Sequence, residues 1–542
     1  MTSAFDEPRP VPASVLSGWR RAGLWTDSTV SDVITGDCDL SATACVVDDE
    51  RYTLGALRDW SVAVAMSLRD HGVTAGDRVL VQLTNSAELL ASIMGCWRLG
   101  VIAVPVLPMF RAHELTAVLR QIRPSAVIAG NVDNRSRTAE MDTALDAANV
   151  RPVVRFSVGR AEAGWSGFPG RAPTSSGADG STLPGFGEPG ACVLVLFTSG
   201  TTAEPKGVRH DSYSLLAEVN SYRRSAALSR RDVIFNPAPV AHVGALVVSL
   251  LVPWAVGCPV VLQSRWDPRR AGQQIAREKV TFAVGAPVFL NELVQEYESA
   301  DAGGHRVAKF QTGAASTATT LLERAAAVGV VAWRAWGMTE APTLTYGTVG
   351  DALDRRAGTD GRVEPGSEVR VVDDGGRPLP DGTEGELVVR SPKQMMGYVG
   401  ATQSASGSDS GGWVVTGDLG VVDPDGWVTI TGRVKDIINR GGEKFSCHEI
   451  EDALSAHPAI NAVAVLGVPE QRLGEQVVAY LTTRSGVNYP GYDVLIEHLT
   501  SRRIAPQKHP VAIVVIDELP MTPTGKVLKA ALARRWRDHP ST

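Results

Sequence analysis

The sequence predicts a multidomain α/β protein: a large N-terminal region of α/β layers containing a β-rich subdomain, followed by a small C-terminal α+β unit. Three observations carry this expectation. The 542 residues exceed what one ordinary core accommodates. Apolar strand patterns alternate with amphipathic helical ones through the first 300 residues, the rhythm of βαβ units with mostly parallel sheets. From Gly361 onward the pattern changes to short strands and turns, until a final unit opens near residue 434.

The alternation begins with Arg78–Gln82 (RVLVQ) as a strand, Glu88–Leu99 as a helix, then Val101–Val106 and Ala126–Ala129 as strands. Residues 161–190, rich in Gly, Ser and Pro, suit a surface loop. Val243 to Leu262 contains no charged residue, which is formally long enough to span a membrane. Pro253, Gly257 and Pro259 interrupt it, so a buried helix running into a buried strand is expected. Further on, Glu368–Val372, Gly385–Arg390 and Trp413–Thr416 read as strands. Residues 401–412 form a second flexible stretch; its Gly-Ser-Asp-Ser looks like a phosphopantetheine attachment site, but no apolar helix follows Ser410. There is no internal repeat.

Composition narrows the class. With 44% hydrophobic and 21% charged residues the chain lies in the globular range. Its 53 basic and 59 acidic residues leave a net charge of −6, which favours solubility and gives no support for a nucleic-acid partner. The six cysteines are scattered without a CxxC pair, the usage of a reduced cytoplasmic protein with structural thiols. The N-terminus carries acids and prolines where a signal peptide needs a basic stretch and an apolar run. No membrane span is expected.

The strongest local signal is Phe197-Thr198-Ser199-Gly200-Thr201-Thr202-Ala203-Glu204-Pro205-Lys206-Gly207. An apolar strand, Cys192–Phe197, feeds a loop of hydroxyls and glycines closed by a lysine. Small residues let backbone N–H groups approach phosphate oxygens, the hydroxyls add donors, and Lys206 adds charge. It is not a Walker A loop, because Pro205 stands where that motif needs glycine.

This run resembles the phosphate loop of the adenylate-forming superfamily of acyl-CoA synthetases, peptide-synthetase adenylation domains and luciferase. Further segments resemble the superfamily's motifs in the right order over about residues 50–530. Asn236–Ala245 (NPAPVAHVGA) is similar to the segment whose histidine, here His242, lies beside the acyl pocket. Gln311–Ser316 (QTGAAS), with Gly313, Ala314 and Ala315, resembles the strand and turn lining the adenine site. Trp336-Gly337-Met338-Thr339-Glu340 resembles the motif whose aromatic packs on adenine, whose threonine meets the α-phosphate and whose glutamate helps hold Mg²⁺. Thr416-Gly417-Asp418 resembles the segment whose aspartate grips the ribose hydroxyls. Arg433 matches a ribose contact and Lys435 an interdomain hinge; Gly441-Gly442-Glu443-Lys444 matches the loop that swings toward the CoA tunnel, and Lys526 the mobile catalytic lysine.

The resemblance implies an ATP-dependent, AMP-forming acid–thiol ligase using ATP, Mg²⁺ and CoA. Its domains would be 1–433, holding acid and nucleotide, and a mobile 434–542. A homodimer is left open. The chemistry itself asks for these residue types. Carboxylate attack on the α-phosphate brings anions together, so cations must neutralise both. Lys526 can bridge them, and Glu340 offers a hard oxygen to Mg²⁺. Taken singly, Lys526 would be an ordinary surface lysine, Glu340 a solvated acid at a helix start, Thr-Gly-Asp a turn and His242 a satisfied core residue.

Small residues dominate the acyl-pocket segments: Ala241, Gly244, Ala245, Ala286, Gly313, Ala314, Ala315, Gly337 and Ala341, with Met338 beside them. They suit a bulky cyclic or medium-chain acid, although small residues equally serve close packing. Two positions depart from the superfamily, which most often has glycine at Ala203 and tyrosine at Trp336. They leave room for a protein in which adenylation is weakened and a partner supplies the adenylate. The same motifs would also serve an enzyme that loads a separate carrier protein, or a nucleotide-binding scaffold without catalysis.

Overall fold

The computed structural model describes residues 5, 7, 9–132, 135–170, 183–198, 205–299, 304–400, 409, 411–521 and 527–538. Two sheets, each of nine strands among the described residues, form the large region. In the first, parallel strands Thr43–Val47, Val260–Leu262, Ile234–Asn236, Phe282–Gly285, Lys309–Thr312 and Val331–Met338 lie side by side. Antiparallel strands Glu50–Thr53 and Ala341–Tyr346 flank them. In the second, Arg78–Gln82, Ile102–Pro105, Ala126–Val132 and Val154–Val158 run parallel. Cys192–Thr198 adds in parallel to Ile102–Pro105, and Lys206–Asp211 returns antiparallel.

Alternation along the strands explains the layering. Val79 and Val81 join a central cluster with Cys45, Ile234 and Phe282 of the other sheet, while Leu80 faces outward. Helices Leu54–Asp70, Ala87–Arg98 and Ser212–Ser225 fill that central layer. Strands buried on both faces read as continuous apolar runs, which is why the βαβ rhythm is visible in the sequence. The helices begin where expected of their caps: Thr53, Ser86 and Asp211 each accept a backbone N–H three residues on. Ala112–Ile122 and Thr138–Ala148 cover the outer face of the second sheet; Pro268–Glu278, Pro287–Glu298 and Thr319–Ala327 cover that of the first.

The charge-free run is a buried helix followed by a buried strand. Helical turns Val243–Leu246, a π-turn Val247–Leu251 and Val252–Val256 succeed one another, then the strand Val260–Leu262. Among the described residues no helix is long and apolar enough to cross a membrane. All six cysteines are free thiols and all but Cys38 are buried. Burial pushes Cys45, Cys96, Cys258 and Cys447 up to about 12, which leaves them inert packing groups.

A four-stranded antiparallel sheet follows, with Glu368–Val372 and Gly385–Arg390 as expected from the sequence. Its third strand, Val414–Val422, runs past the expected Thr416, because Gly417 bends it while pairing to Gly385–Arg390 continues on both sides, and beyond the bend it also pairs with Val428–Arg433. Residues 401–408 and 410, like 171–182 of the first expected loop, lie outside the described residues. After Arg433 a single 3-10 turn, Val434–Asp436, leads into the last unit. That unit is a five-stranded sheet with Cys447–Ser455 and Tyr492–Ser501 on one face and Lys529–Asp538 on the other.

One buried ionic cluster ties the layers together. Lys393 and Glu218 are fully enclosed, and Glu364 is nearly so. The Lys393 ammonium pairs with Glu364, lies 3.6 Å from Glu218, and donates to Ser221 Oγ at 2.8 Å and to the Thr343 carbonyl. Arg224 pairs with Glu364 from the rim. Burial pulls Lys393 down to about 8 and raises Glu218, while their mutual attraction opposes both shifts. Removing the lysine would strand two carboxylates in a dry interior. We therefore expect Lys393→Ala to lower unfolding stability by about 3–5 kcal/mol, read as a shift in the urea midpoint.

Candidate active site

Several of the positions singled out by the sequence motifs lie at the carboxyl ends of strands of the first sheet. Ile234–Asn236, Phe282–Gly285, Lys309–Thr312 and Val331–Met338 are parallel neighbours in register. Their carboxyl ends deliver Asn236, Ala286, Gly313 and Trp336 to the same side. Ligands of open α/β sheets bind in the crevice beyond such ends. Thr198 closes the corresponding end of its strand in the second sheet. The phosphate-loop residues Ser199, Gly200, Thr201, Thr202 and Ala203 lie outside the described residues, and so does Lys526.

At the centre is a hairpin. Val331–Met338 turns at Thr339-Glu340 and returns as Ala341–Tyr346, with a register shift between Trp336 and Met338. Glu340 therefore sits in a hairpin turn, where neither helix start nor helix dipole is involved. Gly337 is there for packing: a Cβ would lie 2.5 Å from the Thr343 backbone nitrogen. Thr343 itself has φ +32°, a value disfavoured for a β-branched residue. Its hydroxyl is held by Glu218 and its carbonyl by Lys393. The buried cluster thus braces the bulge that aims Trp336, Thr339 and Glu340.

Three groups that no sequence motif marks complete the hairpin's surroundings. His210 Nε2 donates to the Thr339 carbonyl at 2.9 Å, and its Nδ1 lies 3.2 Å from Ser214 Oγ. Fully buried, the imidazole is lowered to about 4, chiefly by loss of solvation. Tyr398 donates to Glu340 Oε1 at 2.8 Å and lies under the Lys206 ammonium, 5.0 Å from ring centroid to nitrogen. It arrives there because Gly397–Tyr398 pairs with Val208 and Arg209 at the sheet edge. Met395 N–H donates to the Glu340 carbonyl at 2.7 Å. Lys206–Asp211 shows no alternation, since Val208, Arg209, His210 and Asp211 are all buried, and nothing local links Tyr398 to Lys206.

Asp418 stands across the β-ladder from Arg433. Arg433 Nε donates to Oδ1 at 2.6 Å and Trp336 Nε1 to Oδ2 at 2.8 Å. The Asp418 backbone N–H is held by Thr416 Oγ at 3.0 Å. The carboxylate can accept from a diol, since each oxygen offers about two lone-pair sites and one on each is taken. Glu340 spends Oε1 on Tyr398, so its other oxygen suits one edge of a Mg²⁺ ion shared with phosphates. That ion usually takes one or two carboxylates plus substrate phosphates and water. Among the described residues no group of three or more His, Cys, Asp or Glu could cage a metal.

The acyl-side residues are less uniform. His242 is half-buried at the start of the Val243–Leu246 turn, and Ala245 is buried behind it. Gly244 leaves room only up to Tyr222, whose hydroxyl would be 2.9 Å from a Cβ. Ala286 is sealed into a cluster with Phe289 and Leu290, and Met338 packs at the rim of the β-rich core. Gly313, like Gly337, is small because backbone crowds it: a Cβ would meet the Ala335 carbonyl at 2.6 Å. Ala314 follows it exposed, with φ +68°. Close packing therefore accounts for Gly313, Gly337 and Ala286.

From the last unit, His448 Nδ1 approaches Ser316 Oγ at 2.9 Å, next to the adenine-side turn. Asn461 accepts from Asn291 and Gln295 at 3.2 and 2.9 Å. Lys435 is exposed in its single 3-10 turn. Gly441 and Gly442 both take positive φ at the tip of a hairpin whose Glu443 and Lys444 are exposed.

Residues 37–399 match the AMP-binding enzyme family and residues 449–526 its C-terminal domain. A medium-chain fatty-acid–CoA ligase of Escherichia coli is 30% identical over 98% of this chain and 94% of its own. An indoleacetate–CoA ligase of Aromatoleum aromaticum is 32% identical over 86% and 89%. The structure of MatB from Rhodopseudomonas palustris superposes with a TM-score of 0.82, covering 95% of this chain and 99% of that one at 24% identity; it shares the fold. The layered α/β fold and the match over most of the chain define the class as an adenylate-forming α/β enzyme. The chain belongs to the AMP-binding enzyme family.

The buried imidazole makes stability depend on pH. Between about 6.5, its ordinary value, and about 4, the unfolded chain takes up a proton that the folded chain refuses. Stability should fall as pH drops through that window, by on the order of 3 kcal/mol, and this contribution levels off below it. His210→Gln removes the titration, so the difference between wild type and variant in urea midpoint should change across this window.

Proposed function

We propose that this protein is an acyl-CoA ligase that converts a carboxylic acid to its CoA thioester through an acyl-AMP. The observation that carries it is the convergence of Trp336, Thr339, Glu340, Asp418 and Arg433 on one edge, beside Lys206. Nucleotide would lie along the strand ends, ribose on Asp418 and phosphates toward Lys206, Thr198 and Thr339. Tyr398, hydrogen-bonded to Glu340 and stacked under Lys206, sets the spacing between the two groups that meet phosphate charge. Mg²⁺, when bound at Glu340, would draw negative charge off the phosphates, and Lys526 would offset the charge gathering at the α-phosphate.

The second half-reaction needs CoA in place of pyrophosphate. We place the boundary of the large domain at residue 433 and the hinge at Lys435, where one exposed 3-10 turn joins two separately packed cores. Few contacts resist rotation at such a joint. Turning there would withdraw Lys526 and bring Gly441 and Gly442 over the adenylate, whose attack by thiolate releases AMP. Shielding the anhydride from water follows from the same closure.

The names of the two relatives, a medium-chain fatty acid and indoleacetate, support an acid with a sizeable apolar part. With Gly313, Gly337 and Ala286 explained by packing, the pocket argument for a wide ring rests on His242, Gly244 and Ala245. A panel of cyclic, aromatic and medium-chain acids decides it. The readout is CoA-dependent AMP release matched to thioester by mass; AMP without thioester would point to a carrier acceptor or to hydrolysis. ATP–pyrophosphate exchange tests whether the protein makes its own adenylate.

Lys526→Ala should lower ATP–pyrophosphate exchange by about 100- to 1,000-fold, the scale of losing one transition-state donor. Transfer from a chemically made acyl-AMP to CoA should change by only a few-fold. Equal loss in both assays would remove the two-conformation mechanism.

A further inference from the structure

Asp418 has two donors before any ligand arrives, and one of them comes from an unexpected side chain. Trp336 Nε1 donates to Oδ2 at 2.8 Å while Arg433 Nε donates to Oδ1 at 2.6 Å. Arg433 is the more solvent-exposed partner, with half its side chain in contact with water. Trp336 is only 8% exposed, its ring enclosed with Leu344, Leu387, Val389 and Val414 of the β-rich core. An indole carries one donor and no acceptor, so the direction of this bond is settled. A hydrophobically anchored ring fixes where the donor points. Phenylalanine offers no donor at that place, and tyrosine's hydroxyl would leave from the far end of a shorter ring.

We propose that Trp336 is a positioning residue for ribose recognition, acting through Asp418. By holding Oδ2 it sets the rotation of the carboxylate, so that the remaining lone pair on each oxygen faces one of two vicinal hydroxyls. The ligand chemistry is the cis-diol of an adenine ribonucleotide, and the consequence is discrimination against deoxyribonucleotides. This rests on the adenylate-forming reading for the choice of nucleotide, but it does not need acid, CoA or turnover. It also makes Trp336 the joint between the β-rich subdomain and the nucleotide edge of the first sheet.

The test is calorimetric binding of AMP, 2′-deoxy-AMP and 3′-deoxy-AMP to the full chain, wild type and Trp336→Phe. Losing one hydrogen bond to a charged group should weaken AMP about 10-fold. The two deoxy analogues should lose less, so the preference for AMP over them shrinks by several-fold. In turnover the effect should appear in the KM for ATP, with kcat nearly unchanged. A role limited to packing or stacking would weaken all three nucleotides equally; that result, or no change in any of them, overturns the proposal. Should Trp336→Phe fold poorly, incorporation of 3-benzothienylalanine at 336 keeps the ring's shape while replacing its N–H by sulfur, and the same outcomes apply. If no nucleotide binds the wild type, the family reading of the site fails. If AMP binds but no thioester forms, only the ligase reading fails.

Discussion

A left-handed threonine is held in place by a buried lysine, and the catalytic edge is built on that hold. Thr343 takes φ +32° one strand away from Gly337, whose missing side chain lets the two backbones touch. Glu218 and Lys393 grip the threonine's hydroxyl and carbonyl from below. A buried ion pair is a poor source of net stability, because desolvation consumes most of the attraction. Its value here is geometric. It fixes one hairpin bulge and with it the direction of Trp336 before the turn and of Thr339 and Glu340 within it.

From that turn, hydrogen bonds radiate to segments far apart in the chain. His210 steadies the Thr339 carbonyl, Met395 the Glu340 carbonyl, and Tyr398 the Glu340 carboxylate. Trp336 reaches across to Asp418. Under the proposed function, the groups that would meet polyphosphate charge are thereby set before that charge arrives, which is how a preorganised site avoids reorganisation during reaction. The same contacts make the β-rich subdomain part of the proposed nucleotide site, since Trp336 packs in its core and Asp418 lies on its third strand.

The joint at Val434–Asp436 contrasts with this rigidity. On one side the four-stranded sheet ends at Arg433, bound to Asp418; on the other a new sheet begins at Ile437. Among the described residues, hydrogen bonds between the units include Ser316–His448 and Asn461 with Asn291 and Gln295. Polar contacts of this kind exchange readily with water, which favours the rotation proposed at this joint.

The layered α/β class, the β-rich subdomain and the ordered motifs could all be read from residues 78–129, 192–207, 236–245, 311–340 and 361–435. Those signals are local: strands buried on both faces leave unbroken apolar runs, and a phosphate loop needs its small residues side by side. Small size alone was ambiguous. Only the backbone path showed that Gly313 and Gly337 yield to neighbouring strands, while Gly244 faces a tyrosine. Tyr398 beside Lys206, Lys393 beneath Thr343, and Trp336 against Asp418 join residues 192, 50 and 82 positions apart. No sequence period encodes such pairings, because sheet edges and crossovers bring them together. The sequence by itself determined the family and named the groups proposed to carry the chemistry; the tertiary structure decided what the described ones among them lean on.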